Sequence, residues 1–407
     1  MSDALTFIDT NLGRFREELN EFLRIPSISA KSEYDDETSR SAEWLASRMR
    51  EAGLEVEVLA TEGHPIVLGE WRGAGANAPT VLVYGHYDVQ PPEPLELWTS
   101  PPFEPTEREG RIYARGSADD KGQLYMHVKA LEAHLATSGS LPVNVVVLAE
   151  GEEEVGSPNL VPFVDAHLER LACDVVVISD TGMFAEGLPS ILFSLRGLAY
   201  FEIHVHGARS DLHSGEFGGS VMNPGNALSQ IIASLHDDQG RIALPGFYDD
   251  VVEWDAETRA QIAALPHSDD ETREELGVAA LAGEQGFSTL ERLWIRPTCD
   301  VNGMLCGYTD EGAKTVLPNH AMAKVSFRLV PDQSGAKVKE LLEAHLRNVT
   351  PAGVTWELKE LHGGRPWKAR IEGPYFDAAA EALEEAFGTK PVPMGGGGSI
   401  PIVVEFE

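Results

Sequence analysis

The segment VVVLAEGEEEVGS, residues 145–157, runs from apolar β-branched residues directly into Glu150, Glu152, Glu153 and Glu154. Carboxylates crowded at the end of a buried strand repel one another unless something positive shares the space. Three other segments end in a similar way. TVLVYG is followed by His86, Tyr87 and Asp88, RIYARGSA by Asp119 and Asp120, and DVVVIS by Asp180. Mixed imidazole and carboxylate donors suit zinc or manganese better than magnesium. Each piece alone has a plain structural reading: an Asp pair caps a helix, a His-x-Asp lies on a surface, a glutamate run solvates a loop. Their common position is what points to a site, because an open α/β sheet binds ligands beyond the carboxyl ends of its strands.

The elements that must position these residues follow from periodicity. Leu5, Ile8, Leu12, Phe15, Leu19 and Phe22 recur at steps of three and four until Pro26, which predicts an amphipathic helix. A second helix is expected over about 39–52. EVEVLA, IVLGEW and TVLVYG read as strands and DDKGQLYMHVKALEAHLA as a helix. VNVVVLAE and DVVVISD read as buried strands on either side of a helix over PNLVPFVDAHLERLA. Strands alternating with helices predict an α/β sheet covered on both faces.

From Arg196 the rhythm changes. LAYFEIHVHG and MAKVSFRLVP alternate as half-exposed strands, and GAKVKELLEAHLRNV is an amphipathic helix. A polar stretch over about 237–283 is expected to be irregular. This is the pattern of an α+β domain with one sheet face solvated or held by a partner. His204 and His206 read as strand residues. PYFDAAAEALEEAFG and GGGGSIPIVVEFE return to the first style as a helix and a strand. The expected organisation is an α/β catalytic domain in two parts, 1–195 and 368–407, interrupted by an inserted α+β domain over 196–367.

A chain of 407 residues is long enough for two domains, and 43% hydrophobic with 24% charged residues is an ordinary globular balance. The net charge of −33 leaves no basic surplus to neutralise phosphates, which argues against nucleic-acid binding. No apolar run approaches the roughly 20 residues of a membrane span, and no basic-then-apolar leader opens the chain. Cys173, Cys299 and Cys306 show no CxxC pair and are expected to be reduced and buried, as in a cytoplasmic protein.

GHYDVQP, YARGSADDKG, GEEEVGS, SDLHSG, GAKTVLP, SFRLVP, HGGRPW and GGSIP follow one another in an order that resembles the M20-family metallopeptidases. The likeness is strongest to the carnosinase-type dipeptidases and covers nearly the whole chain. It implies a mixed-sheet zinc-peptidase catalytic domain with an inserted α+β lid and dimerisation domain. It also implies a homodimer with two Zn2+ per subunit, for which Mn2+ or Co2+ could substitute. By motif, His86 and Asp180 would hold one ion, Glu154 the other, and Asp119 both. Asp88 would orient the His86 ring, and Glu153 would be the general base acting on water. The Asp119–Asp120 peptide would be cis, as in relatives. His213 would stabilise the oxyanion from the second subunit, with Thr315 similarly placed. Arg328, His362 and Ser399 would hold the free carboxylate of a dipeptide or short peptide.

One departure accompanies the resemblance. The family continues for several dozen residues beyond GGSIP and carries a further histidine ligand there. No histidine follows His362 in this sequence, so the natural chain is expected to continue past Glu407. An N-acyl-amino-acid deacylase or desuccinylase uses the same metals and water, and a non-catalytic metal-binding dimer is the third reading. An inserted domain of about 170 residues favours the dipeptidase.

Overall fold

The computed structural model describes residues 2–369, 371–398 and 400–406, which fall into two compact units. The first runs to Gly182 and includes Phe406; the second runs from Met183 to Glu405.

In the first unit, α1 (Ser2–Leu23) and α2 (Asp35–Glu51) precede β1 (Glu55–Leu59), β2 (Ile66–Trp71) and β3 (Thr80–His86). A small hairpin of β4 (Thr106–Arg108) and β5 (Arg111–Tyr113) leads to α3 (Lys121–Ser138). Then come β6 (Asn144–Glu150), α4 (Leu160–Ala166), α5 (Leu168–Leu171) and β7 (Val175–Ile178). The sheet has the order β1-β2-β6-β3-β7, with β1, β2 and β6 antiparallel in turn and β6, β3 and β7 parallel. It is therefore the mixed sheet that the resemblance implied. All of β6 and most of β3 are buried, which is why their sequences are continuous apolar runs rather than alternating ones. His86 and Glu150, the last residues of β3 and β6, sit side by side in register. The packing that fixes this edge joins Phe22, Leu45 and Met49 to Leu124, Val128 and Val147.

Three expectations are corrected here. β7 is an edge strand, and its four residues are only half-buried. The helix over 158–172 is broken in two at His167, whose Nδ1 pairs with the Phe163 carbonyl at 2.8 Å while its ring stacks on Phe163. In α1, Phe15 and Phe22 are buried, but Leu5 and Leu12 are half-exposed, so the apolar stripe packs only in part.

In the second unit, β8 (Ser190–Leu195), β9 (Gly197–His206) and β10 (Leu212–His213) precede α6 (Ser214–Phe217) and α7 (Pro224–Ala233). The stretch expected to be irregular holds α8 (Ala256–Ala263) and α9 (Asp269–Leu276). α9 is mostly polar and α8 mixes alanines with polar residues around a single buried Ile262, which hid their periodicity, and both are capped: Asp255 accepts from Thr258 N–H and Ser268 from Glu271 N–H. After α10 (Thr289–Trp294) come β11 (Thr298–Cys306), β12 (Val316–Leu317), β13 (His320–Leu329), α11 (Gly335–Val349) and β14 (Thr355–Gly364). The chain closes with β15 (Trp367–Lys368), α12 (Pro374–Phe387) and β16 (Val392–Gly396).

The main sheet is antiparallel with the order β11-β13-β9-β14. Ala199, Phe201, Ile203 and Val205 of β9 alternate into a core with α7 and α11, while Tyr200, Glu202, His204 and His206 face the other way. LAYFEIHVHG, expected as a half-exposed strand, is an internal strand of this sheet; the edges are β11 and β14. IPIVVEFE, expected as a strand, contains a 3-10 turn at Pro401–Val404. The glycine run serves close backbone approach. A Cβ on Gly395 would lie 2.4 Å from the Trp294 side chain, and one on Gly396 2.5 Å from that of Leu195. Cys299 is buried and Cys306 partly so, but Cys173 is exposed, contrary to expectation. Among the described residues no helix is long and apolar enough to cross a membrane.

Candidate metal centre

His86 ends β3 with its side chain wholly buried. Its Nε2 lies 3.1 Å from Asp119 Oδ1 and 3.7 Å from Asp180 Oδ2, and one donor atom from each residue fits within 4.8 Å of the others. Its Nδ1 faces Asp88, 3.1 Å from the carbonyl oxygen and 3.3 Å from Oδ1. Burial opposes charge on this ring, yet hydrogen bonds to Asp119, Asp180 and Asp88 outweigh it and raise the pKa well above the usual histidine value. A neutral imidazole has one proton for two carboxylate-bearing sides. A divalent cation on Nε2 resolves that conflict, leaving Nδ1–H for Asp88. The donor set therefore fits a metal ion.

The glutamates of the opening segment divide into two pairs. Glu150 accepts from Tyr84 OH at 2.6 Å and Ser157 Oγ at 2.8 Å, and Glu152 accepts from Asn159 Nδ2 at 2.8 Å. These two brace the strand end. Glu153 and Glu154 lie in a single 3-10 turn, Glu153–Val155, at the same rim. Burial, with Asp180, Glu154 and Asp88 nearby, pushes Glu153 up to about 8 against the pull of His86. Glu154 is pushed up to about 7 by burial and by Asp119, while Gln90 Nε2 donates to it at 2.6 Å. Asp88 Oδ2 accepts from Ser29 Oγ at 2.6 Å and from Glu154 N–H at 3.2 Å, linking the turn to the residue behind the imidazole.

Some residues here had no role in the sequence reading. Asp120, pushed up to about 8 by burial, accepts His86 N–H at 3.1 Å; the Asp119–Asp120 peptide before it is cis, as the resemblance implied. Gly85 makes room for it, since a Cβ there would lie 2.6 Å from Asp120 Oδ2. Lys121 is fully buried, and its Nζ donates to the carbonyls of Phe22 at 3.1 Å and Ile25 at 2.7 Å. Gln90 and Lys121 stood inside GHYDVQP and YARGSADDKG, so their positions were visible although their partners were not.

The remaining candidates lie in the second unit. Arg328 of β13 and Gly364 of β14 flank Leu198 on one rung, and His362 falls in the irregular step between Glu360 and Gly363. His362 is set edge-on to Tyr200, with ring centroids 5.4 Å apart. Buried Arg196 donates through Nε to the Gly397 carbonyl at 3.1 Å; burial, with repulsion from Arg328, lowers its pKa to about 10. His213 and Thr315 are brought together elsewhere, by the pairing of β10 with β12 and a 3.0 Å bond from Ser214 N–H to Thr315 O. His213 Nδ1 accepts from Gly215 N–H at 3.0 Å. Arg328 is eight residues beyond His320, the first of β13, a run of about 26 Å at strand rise. Arg328 and His362 thus lie near the Leu198 end of the main sheet, whereas His213 and Thr315 lie at the separate two-stranded β10-β12 sheet. Ser399 lies outside the described residues.

A buried imidazole with carboxylates gathered on its outer nitrogen, at the carboxyl edge of a mixed α/β sheet, is a site of metallohydrolase type. Residues 82–404 match the family model described as Peptidase family M20/M25/M40, and the chain belongs to that family. It is 32% identical to the Cys-Gly metallodipeptidase dug1 of Schizosaccharomyces pombe, over 98% of this chain and 87% of the relative. Human carnosine dipeptidase 1 superimposes with a TM-score of 0.86 at 30% identity, covering 100% of this chain and 89% of that one. The M20 family metallo-carboxypeptidase Sso-CP2 of Sulfolobus solfataricus superimposes with a TM-score of 0.84 at 36% identity, covering 95% and 87%.

The crowded carboxylates set a pH dependence for the metal-free protein. Glu153 ordinarily titrates near 4.5 and is held up to about 8, so the folded state binds its proton more tightly than the unfolded chain. That contribution to stability is complete below about 4.5 and is lost as pH rises through about 8. In chelator, Glu153→Gln is therefore expected to gain in melting temperature over wild type between pH 5 and pH 8. Thermal denaturation of both proteins at the two pH values measures this, and added zinc should shrink the difference. A gap that is constant with pH would contradict the burial of Glu153 beside like charge.

Proposed function

We propose that the chain is a metal-dependent dipeptidase that hydrolyses dipeptides or short peptides with a free C-terminal carboxylate, with two Zn2+ per subunit. The observation that carries this reading is the grouping of His86, Asp119 and Asp180 at one rim with Glu153, a part-buried carboxyl in the 3-10 turn beside them. The relatives named as dipeptidases support the substrate class. In this reading His86 and Asp180 would hold one ion, Glu154 the other, and Asp119 would serve both. When bound, the ions supply Lewis-acid polarisation and an acidified water. Glu153 accepts the proton of the attacking water and passes it to the leaving amine nitrogen. Asp88 keeps the His86 proton on Nδ1. Arg328, His362 and Ser399 bind the free carboxylate, for which a guanidinium fork is well shaped.

We assign the catalytic domain to 1–195 and 368–407 and the lid and dimerisation domain to 196–367, in a cytoplasmic homodimer. His213 then acts on the oxyanion of the partner's site, with Thr315 beside it. The placement of this pair at the separate β10-β12 sheet, apart from Arg328 on β13, supports such sharing. Mixing inactive His213→Ala with inactive Glu153→Gln is expected to restore activity through heterodimers with one intact site. Absence of recovery after verified subunit exchange would place His213 outside the partner's site.

Metal-loaded protein tested against free dipeptides, N-acetylated dipeptides and tripeptides checks the substrate class. Turnover of free dipeptides well above that of the acylated ones is expected. Turnover of N-acyl substrates alone would make the protein a deacylase. The likeness to Sso-CP2 favours a second reading, a carboxypeptidase, which removal of the last residue from tripeptides would reveal.

A further inference from the structure

We propose that the open face of the β11-β13-β9-β14 sheet carries a second metal site, in which His204, His320 and His206 hold one zinc-class divalent ion (Zn2+, Ni2+ or Cu2+). His204 and His206 are two residues apart on β9 and so face the same side, and His320 of β13 is the cross-strand partner of His206. A His-x-His on one strand with a third imidazole on its neighbour can supply the three nitrogen ligands that hold zinc in many sites.

Two of the three side chains are already close to that arrangement. His204 Nδ1 lies 3.0 Å from His320 Nε2. Two nitrogens each about 2.05 Å from a tetrahedral ion are roughly 3.3 Å apart, so this pair needs little adjustment to exchange its shared proton for a cation. The other nitrogen of His204, Nε2, is 3.0 Å from Glu202 Oε2. A carboxylate on the outer nitrogen of a ligating imidazole fixes its tautomer and makes it more basic. His206 stacks against His320 with ring centroids 4.9 Å apart. Its side chain is 46% exposed and free to turn a nitrogen towards the other two, with Glu357 Oε2 3.8 Å from its Nε2. The cations on this face are engaged: Lys324 Nζ lies 3.6 Å from Glu202 Oε1 and Lys359 Nζ 4.0 Å from Glu357 Oε1. Neither the rim around His86 nor the substrate residues include any of these three histidines.

Equilibrium dialysis of the full chain against zinc at pH 7.5, repeated with nickel, tests the site. Wild type is expected to retain one equivalent more than the double variant His204→Asn/His320→Asn, whose dipeptide hydrolysis stays at the wild-type level. His206→Asn should weaken that equivalent by at least about tenfold, and Glu202→Gln by about 10- to 100-fold. The extra equivalent should survive in His86→Ala, which separates it from the rim, and should be released below about pH 6 as the imidazoles protonate. Copper bound there should show nitrogen hyperfine structure from imidazole that the double variant lacks. Equal stoichiometry in wild type, the double variant and His206→Asn would overturn the proposal.

Discussion

Glu153→Gln is expected to lower dipeptide turnover by about two to four orders of magnitude, the range for loss of a general base, while bound metal stays at the wild-type level. The amide has the size of the carboxylate but cannot take a proton from water. Glu153 suits the task because it is a part-buried carboxyl in the 3-10 turn at the same rim, close enough to Asp180 and Asp88 to feel their charge. It is also absent from the grouped donor atoms of His86, Asp119 and Asp180, so its removal leaves that set intact. Steady-state kinetics and metal analysis on the same preparation check both halves. Normal turnover would exclude Glu153 as the base, and loss of metal would make it a ligand instead.

His86→Ala has the second large effect, and it is of a different kind. The group it belongs to has a single imidazole, and removing it leaves Asp119 and Asp180 facing each other without the nitrogen that both approach. At least one metal equivalent should be lost on dialysis, with activity falling by about three orders of magnitude or more, since the water is no longer acidified. Asp88→Asn should weaken the metal by about 10- to 100-fold, because an amide no longer fixes the imidazole tautomer. Metal content after dialysis against a weak chelator distinguishes the three proteins. Full retention by His86→Ala would remove this residue from the ligand set.

The part of this site legible in the sequence is the part written as strand ends. TVLVYG and VNVVVLAE are buried on both faces, so they stood out as apolar runs, and what followed each was bound to lie on one rim. The roles of the four glutamates in EGEEEVGS were less visible. Glu150 and Glu152 are held by Tyr84, Ser157 and Asn159, partners that only the folded chain brings near. Strand order was hidden for the same reason. Alternation in LAYFEIHVHG showed one buried face correctly, but alternation is the same for an edge strand and an internal one, and β9 proved internal. The helices α8 and α9 escaped because their exposed faces lack an apolar stripe, although their caps at Asp255 and Ser268 were present in the sequence. His204 and His206 looked like ordinary strand residues until pairing placed His320 beside them.

The most direct measurement is a zinc titration of the chelator-stripped chain, followed by the hydrolysis of a free dipeptide. Activity is expected to be absent without metal, to rise in step with zinc bound at the His86 rim, and to stay absent in His86→Ala at the same zinc concentrations. Hydrolysis at an undiminished rate by the metal-free chain, or full activity in His86→Ala, would contradict a metal-dependent peptidase site at this rim.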